Sequence, residues 1–173
     1  MTDPVVVLIV GIPGAGKSVL IDRAAGSPDW TVLDPDRFRR RLSPALRQVP
    51  GPYPLYVLAM VAAIARHTQV VVESRGTYAW LRRLVTACAR ARGREAVLVL
   101  LDAPSQDAMA GQMRRGRVAP QRVMRWHTTG WTRLLDAASS GALAAEGWTR
   151  VLLLDRAQAS DVEDLAELVG RPM

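Results

Sequence analysis

The chain is poor in several residue types, and each shortage excludes a class of protein. A single cysteine, Cys88, excludes the disulfide-stabilised folds of small secreted proteins. We predict that Cys88 is a reduced, buried thiol on the apolar side of a helix. No apolar run approaches the length of a membrane span, and residues 1–4 lack the basic start of a signal peptide. The sequence therefore predicts a cytoplasmic protein with no membrane partner.

Lysine is almost absent as well. Of the 23 lysine and arginine residues, 22 are arginine and one is Lys17, and the chain has no asparagine and one phenylalanine. This bias is typical of a gene from a GC-rich genome, in which arginine stands wherever a positive charge is enough. Lysine at position 17 therefore indicates a site that needs a compact ammonium group on a flexible stem.

The positive charge has two interpretations. The formal net charge is +7 and the calculated pI is about 10.9. This charge favours an anionic partner, such as a nucleotide, a nucleic acid or another phosphate-bearing substrate. Alternatively, the arginines only cover solvated faces. They cluster at 37–41, 82–94 and 114–125, and the 82–94 cluster is expected to be the solvated face of an amphipathic helix.

Strand patterns alternate with helix patterns along the whole chain, which predicts one domain over residues 1–173. The predicted strands are short aliphatic runs at residues 5–10, 31–33, 69–73, 96–101 and 150–154. The first predicted helix begins near residue 17. Further helices are predicted over about 36–42, 54–67, 78–92, 105–113, 120–138 and 161–169, and Ser160 is the predicted cap of the last one. This alternation predicts an α/β fold with a parallel sheet of about five strands and helices on both faces. Ligands are expected at the carboxyl ends of the strands.

The strongest motif follows the first predicted strand. Residues 11–18 match G-x-x-x-x-G-K-[ST], the P-loop pattern, between a strand and a helix. Backbone amides of such a loop point at phosphate oxygens, Lys17 neutralises the β- and γ-phosphates, and the Ser18 hydroxyl is a Mg²⁺ ligand. The sequence therefore predicts a site for ATP or GTP with Mg²⁺. Its predicted nucleotide-binding residues are Gly11, Pro13, Gly14, Ala15, Gly16, Lys17, Ser18 and Val19.

Two carboxylates leave the end of the second predicted strand. Asp36 and Arg39 lie three positions apart and hence on one helical face, where the carboxylate can accept a hydroxyl proton and the arginine can hold a phosphate. Alternatively, Asp36 is only a helix N-cap. Asp34 either assists with Mg²⁺ or orients Asp36, or it only satisfies the turn.

The third predicted strand ends in an acid. Glu73 stands where a Walker B carboxylate would, and there it could hold a Mg²⁺-bound water or touch the acceptor. The alternative is a solvated carboxylate at a strand end. Arg75 follows in the same loop and is a further candidate for acceptor binding.

A basic turn is predicted to be a lid over residues 112–121. Arg114, Arg115 and Arg117 would repel one another without an anion, so we expect them to close over the triphosphate. A solvated basic loop is the alternative.

Aromatic residues give a weaker signal. Tyr53 and Tyr56 could stack on an acceptor base, although packing is the commoner role. Packing is also expected for Trp126, Trp131 and Trp148.

Together these motifs resemble the polynucleotide-kinase-type P-loop phosphotransferases. The resemblance rests on residues 11–18, on Asp36-Arg37-Phe38-Arg39, on a strand ending in Glu73-Ser74-Arg75, and on an Arg-Gly turn before Pro120. The kinase domain of phage polynucleotide 5′-kinase and the bacterial AAA_33-type kinases are most similar, and the zeta-toxin kinases are more distant. The resemblance spans nearly the whole chain.

The resemblance implies roles for single residues. Asp36 matches the family's general base, Arg39 its acceptor-phosphate arginine, and Arg115 a lid arginine. Lys17 and Ser18 match the residues that bind the triphosphate and Mg²⁺.

The chain departs from the family at two places. Glu73-Ser74-Arg75 replaces the usual Asp-Thr-Asn, which concerns the acceptor side. Gly111 replaces the usual first lid arginine, which suggests that Arg114 or Arg117 substitutes for it.

The expected activity is that of an ATP–Mg²⁺ kinase with a hydroxyl acceptor. The acceptor is either the 5′-hydroxyl of a polynucleotide or nucleoside, or a small molecule such as a sugar nucleotide or an antibiotic. A nucleotide-binding switch or ATPase without an acceptor is the remaining alternative.

Overall fold

The computed structural model describes residues 4–48, 53–103 and 121–170. Five parallel strands form one sheet in the order β2-β3-β1-β4-β5. The strands are β1 Val5–Gly11, β2 Thr31–Leu33, β3 Gln69–Ser74, β4 Glu95–Leu101 and β5 Arg150–Leu154. The predicted parallel sheet of about five strands is confirmed.

The position of the central strand in the sheet accounts for its aliphatic sequence. β1 lies between β3 and β4, and all seven of its residues are buried. A strand covered on both faces reads as a continuous aliphatic run, which is what Val5 to Val10 shows. The pairing of Val10 with Ser74 and of Gly11 with Leu101 brings the carboxyl ends of β1, β3 and β4 to one edge.

Helices fill the connections and form two groups. They are α1 Lys17–Gly26, α2 Pro35–Arg41, α3 Pro44–Gln48, α4 Tyr53–Arg66, α5 Ala79–Ala91, α6 Gln121–Ser139, a 3₁₀ helix Ala142–Glu146, α7 Arg156–Asp161 and α8 Leu165–Gly170. α1 contacts α7 and α8, whereas α5 contacts α4 and the 3₁₀ helix. The crossover through α1 runs from β1 to β2, and the crossover through α5 runs in the opposite direction along the sheet, from β3 to β4. Because crossovers between parallel strands are right-handed, the two groups lie on opposite faces of the sheet. In the described part of the chain, no helix has both the length and the apolar character needed to cross a membrane.

The predicted cap of the last helix is wrong. Ser160 lies inside α7, and its hydroxyl donates to the carbonyl of Arg156 at 2.9 Å. Asp155 caps α7 instead, because Asp155 and Gln158 form a reciprocal capping box. A break then separates α7 from α8.

The prediction for the 82–94 cluster is wrong for its first member. Arg82 is only 7% exposed and pairs with Glu146 of the 3₁₀ helix. Arg83 and Arg90 are exposed, as predicted. Cys88 is half-buried rather than buried, although it does pack against the core, and burial raises the pKa of its thiol.

The core confirms two tryptophan predictions. Trp131 and Trp148 are both buried among the aliphatic residues of the core. The side chain of Trp126 and the predicted helix at 105–113 lie outside the described residues.

Candidate functional site

The candidate site lies where the sheet connections change direction. β1 and β3 are neighbours, but β1 leads through α1 to β2 on one side, and β3 leads through α5 to β4 on the other. Loops that leave adjacent strands in opposite directions open a crevice at the carboxyl edge of the sheet, where α/β proteins bind ligands. The loop after β1 carries the P-loop motif, and the loop after β3 carries Arg75.

The P-loop motif lies between β1 and α1, as predicted. Gly16 is the N-cap of α1 and has a φ of 101°, a left-handed conformation that favours glycine. The amide of Ala15 donates to the carbonyl of Ile12 at 3.1 Å, which closes the turn. A helix that begins at this turn directs its first N–H groups toward an anion in the crevice. The remaining predicted nucleotide-binding residues lie along the same segment: Gly11 ends β1, Pro13 and Gly14 lie in the loop, and Ser18 and Val19 are in the first turn of α1.

Lys17 is folded back onto the loop. Its side chain is buried, and Nζ donates to the carbonyl oxygens of Gly11 at 2.8 Å and Ile12 at 3.3 Å. Nζ also lies 3.6 Å from Oε1 of Glu73, at the end of β3. The ammonium group is therefore held inside the crevice, between the P-loop and the end of β3.

A pair of carboxylates faces Lys17. Pairing of Leu33 with Val72 places Asp34, which follows β2, beside Glu73. Burial raises the pKa of Glu73, Lys17 opposes this shift, and the charges of Asp34 and Asp36 add to it. Glu73 is thus not a solvated strand-end acid, because Lys17 and Asp34 enclose it.

The structure decides which aspartate caps α2. Asp34 is the N-cap, because its side chain accepts a hydrogen bond from the amide of Arg37 at 2.8 Å. The alternative in which Asp36 is the N-cap is therefore wrong. Asp36 lies in the first turn of α2 with an exposed side chain, and Arg39 follows one turn later, also exposed. An ion pair between Arg37 and Asp22 joins α2 to α1.

Tyr56 ties the acidic strand ends to α4. It is 2% exposed, and its hydroxyl lies 2.7 Å from the carbonyl of Glu73 and 3.1 Å from that of Leu33. Packing is therefore confirmed for Tyr56. Burial and the carboxylates of Glu73 and Asp34 raise the pKa of its hydroxyl well above the ordinary value, so the hydroxyl stays a donor.

The contacts that support the β3–α5 loop are not predicted by the sequence. The guanidinium of Arg82 donates to the carbonyl of Gly76 and, at 2.6 and 2.8 Å, to both carboxylate oxygens of Glu146. Burial alone would raise the pKa of Glu146, but the hydrogen bonds and charge of Arg82 lower it. Trp148 adds a hydrogen bond to the same carboxylate at 3.2 Å. The loop that holds Arg75 is thereby fixed to the 3₁₀ helix.

Arg114, Arg115, Arg117 and Gly111, and with them the predicted lid up to Pro120, lie outside the described residues.

The oxygen atoms at the crevice fit a hard divalent cation. Ser18, Asp34 and Glu73 supply a hydroxyl and two carboxylates, which are the oxygen ligands that Mg²⁺ prefers. In residues 4–48, 53–103 and 121–170, no group of three or more histidine, cysteine and acidic side chains forms a metal cage. Mg²⁺ commonly takes one or two protein ligands together with substrate phosphates, and this donor set fits that mode.

Similarity to solved structures covers most of the chain. The structure reported for the PezAT chromosomal toxin–antitoxin system of Streptococcus pneumoniae aligns over 97% of this chain and 76% of that chain, with a TM-score of 0.65 and 16% identity. A gluconokinase from Sinorhizobium meliloti 1021 aligns over 96% and 91%, with a TM-score of 0.56 and 18% identity. A chain of the Pnkp1/Rnl/Hen1 RNA repair complex aligns over 79% and 46%, with a TM-score of 0.60 and 16% identity. At these identities the likeness shows a shared fold.

The family is shown by the sequence. Comparison with curated proteins gives no match. Residues 6–134 match the family model AAA_33, described as an AAA domain, and this range includes the P-loop, all three carboxylates and the predicted lid. The resemblance to P-loop kinases is confirmed, and the parallel sheet is that of a P-loop NTPase-like fold. The chain therefore belongs to the AAA_33 family.

Proposed function

We propose that the protein is a kinase that transfers the γ-phosphoryl group of ATP or GTP to a hydroxyl group of an acceptor. One observation carries the proposal. The P-loop lysine and an acidic cluster face each other across a single crevice, with Nζ of Lys17 3.6 Å from Glu73 and with Asp34 and Asp36 close enough to raise the pKa of Glu73. A nucleotide site alone needs the lysine, whereas a phosphoryl transfer also needs a proton acceptor.

The donor side consists of the P-loop and α1. The loop amides and Lys17 bind the β- and γ-phosphates, and Lys17 exchanges its backbone carbonyl partners for phosphate oxygens. Ser18, with Glu73 or Asp34, would hold Mg²⁺, which neutralises charge on the phosphates when bound. Arg115, with Arg114 or Arg117, completes this side as the lid.

The acceptor side consists of α2 and the loop after β3. Asp36 takes the proton of the acceptor hydroxyl, whose oxygen then bonds to the γ-phosphorus while the bond from that phosphorus to the leaving nucleoside diphosphate breaks. Arg39 and Arg75 bind the acceptor. Exposure of Asp36 and Arg39 on α2 supports these roles, because an incoming substrate can reach both.

The proposal covers several classes of acceptor. The similar solved structures include a gluconokinase and a chain of an RNA repair complex, so this fold accommodates different acceptors. A polynucleotide or nucleoside 5′-hydroxyl, a sugar nucleotide and an antibiotic are the candidates. The remaining alternative is an NTPase without an acceptor, and the carboxylate of Asp36 beside the crevice argues against it.

Transfer of label from [γ-³²P]ATP tests the proposal. The purified chain is incubated with Mg²⁺, labelled ATP and 5′-hydroxyl DNA, 5′-hydroxyl RNA, nucleosides, sugar nucleotides or aminoglycosides, with Lys17→Ala as the matched control. We expect label on one acceptor class with the wild type and on none with Lys17→Ala. Release of inorganic phosphate at the same rate with every acceptor, and label on none, would overturn the kinase assignment.

A further inference from the structure

Aromatic residues are scarce in this chain but concentrated at one place. It has three tyrosines, one phenylalanine and five tryptophans. All three tyrosines, the phenylalanine and one tryptophan form a continuous row of ring contacts. In order, the row is Phe38, Tyr56, Tyr53, Trp80 and Tyr78, with centroid distances of 5.7, 6.1, 6.2 and 6.3 Å. Such a concentration calls for a reason beyond core filling, because three of the five rings, those of Tyr53, Tyr78 and Trp80, are exposed rather than buried in the core.

The row runs from the interior to the surface. Tyr56 is 2% exposed, whereas Tyr53, Tyr78 and Trp80 are 37%, 43% and 50% exposed. Contact between Tyr53 and Tyr56 and the hydrogen bonds of the Tyr56 hydroxyl fix the inner end. The outer rings are thus supported from behind and keep a large part of their surface in solvent.

The position of the row connects it to the acceptor side. Tyr56 binds the carbonyl of Glu73, and Phe38 follows Asp36 by two positions on α2. Tyr78 and Trp80 directly follow the loop that carries Arg75. Burial and Tyr78 raise the pKa of Tyr53, and the charge of Arg75 opposes this shift, so the guanidinium lies near the exposed rings. Aromatic surface and a cation therefore meet beside the acidic cluster.

We propose that Tyr53, Tyr78 and Trp80, with Arg75 beside them, form an acceptor subsite that stacks a planar heteroaromatic ring. The proposal rests on the proposed function and deepens it, since it selects acceptors of the nucleoside or nucleotide type over ring-free polyols and sugar acids. Every nucleobase offers a π-face to such a platform, and Arg75 supplies a cation for a neighbouring phosphate. A polyol site would instead need a dense set of hydrogen-bonding side chains at this surface.

Equilibrium binding tests the subsite without requiring turnover. The full chain is titrated with adenosine, cytidine, a 5′-hydroxyl dinucleotide and ribose, with and without a saturating non-hydrolysable ATP analogue that fills the donor site. Adenosine, cytidine and the dinucleotide carry a heteroaromatic ring and are here called the ring-bearing probes, whereas the sugar ring of ribose is not aromatic. We expect the ring-bearing probes to bind and ribose to bind at least about tenfold more weakly. Loss of one stacking ring in Trp80→Leu or Tyr53→Leu should weaken ring-bearing probes about 5- to 150-fold and leave the ATP analogue unaffected.

Matched variants separate stacking from general loss of apolar surface. Trp80→Phe keeps a ring and should retain most of the affinity. Leu153→Ala removes an apolar side chain of similar exposure, 55%, on β5 and should change nothing. Tighter binding of the dinucleotide than of the nucleosides would identify the end of a polynucleotide strand as the ligand of the subsite. Equal binding would identify a free nucleoside, and both results support the subsite.

Three results would overturn the subsite. These are equal affinity for ribose and the ring-bearing probes, unchanged binding in both Trp80→Leu and Tyr53→Leu, or a dimer that Trp80→Leu dissociates without any effect on the probes. If ring-bearing probes bind as expected but no acceptor is phosphorylated, the subsite stands and the kinase assignment fails.

Discussion

Nζ of Lys17 and Oε1 of Glu73 lie 3.6 Å apart, and this pair joins the P-loop to the end of β3. Both side chains are largely withdrawn from solvent, at 9% and 23% exposure. Glu73 and the carbonyls of Gly11 and Ile12 thus compensate the ammonium group before any phosphate arrives. Nucleotide binding must exchange these partners for phosphate oxygens, so the donor and acceptor sides of the crevice are electrostatically linked.

Replacement of Lys17 should abolish nucleotide-dependent turnover. Lys17→Ala removes the charge, and we expect at least about a 100-fold loss, because such a group stabilises charge on the transferring phosphoryl. Lys17→Arg keeps the charge but adds a larger, planar head, and it should also lose most of the activity. Turnover of Mg²⁺–ATP by both variants is the measurement. Near-wild-type activity of Lys17→Arg would contradict the need for a compact ammonium group.

Glu73 should make the nucleotide-free protein less stable as the pH rises. Its pKa is raised in the folded state, so the folded protein binds its proton more tightly than the unfolded chain does. This stabilisation is fully present below the unfolded pKa of about 4.5 and is lost as the pH rises through the folded pKa. The free energy of unfolding of wild type minus that of Glu73→Gln should therefore fall over this window. Urea denaturation at several pH values measures it, and a difference that grows with pH would refute the shift.

The buried pair of Arg82 and Glu146 should be costly to break. Glu146→Gln or Arg82→Met leaves one partner unsatisfied, and we expect a loss of about 3–5 kcal/mol in the free energy of unfolding. Removing both charges in Arg82→Met/Glu146→Met should cost less than the sum of the single changes. Urea denaturation measures all three. Glu95→Gln, which breaks the more exposed pair with Arg150, is the control and should cost no more than about 1 kcal/mol. Strict additivity of the single changes would contradict a buried, coupled pair.

Gly76 should tolerate alanine worse than Gly93 does. Both residues have positive φ, 72° and 62°, so both pay for a left-handed backbone, about 1 kcal/mol or more. A Cβ at Gly76 would also lie 2.6 Å from Cβ of Val10, whereas a Cβ at Gly93 meets nothing within 4 Å. We expect Gly76→Ala to be destabilised by about 1–3 kcal/mol more than Gly93→Ala in thermal or urea unfolding. Equal losses would mean that Val10 moves aside freely.

Local sequence patterns predicted most of the fold. The strands were visible because each is a short aliphatic run, and the P-loop was visible because its glycines, lysine and serine are adjacent in sequence. The last helix was misplaced because Ser160 is a good cap by type, but Asp155 with Gln158 forms a better, reciprocal one. Which of two candidate residues caps a helix depends on backbone geometry, and residue type alone does not show that geometry.

Contacts between distant residues could not be predicted. Arg82 and Glu146 are 64 positions apart, and nothing in either neighbourhood marks the pair. Tyr56 is 17 positions from Glu73, and its hydroxyl donates to a backbone carbonyl. Because every residue has such a carbonyl, the residue type at position 73 does not predict this hydrogen bond. The same holds for Asp34 and Glu73, which become neighbours only through the pairing of β2 with β3. These long-range contacts shape the acceptor side, and local sequence patterns do not show them.

The most direct test of the two-sided crevice is the comparison of nucleotide binding and phosphoryl transfer in Asp36→Asn. Asp29→Asn is the matched control, because Asp29 is also exposed but precedes β2, at the opposite end of that strand from Asp36. We expect Asp36→Asn to bind ATP within about twofold of the wild type but to transfer the γ-phosphoryl group at least about 100-fold more slowly. Asp29→Asn should match the wild type in both measurements. Full transfer activity of Asp36→Asn would contradict the assignment of the general base and, with it, the acceptor side of the crevice.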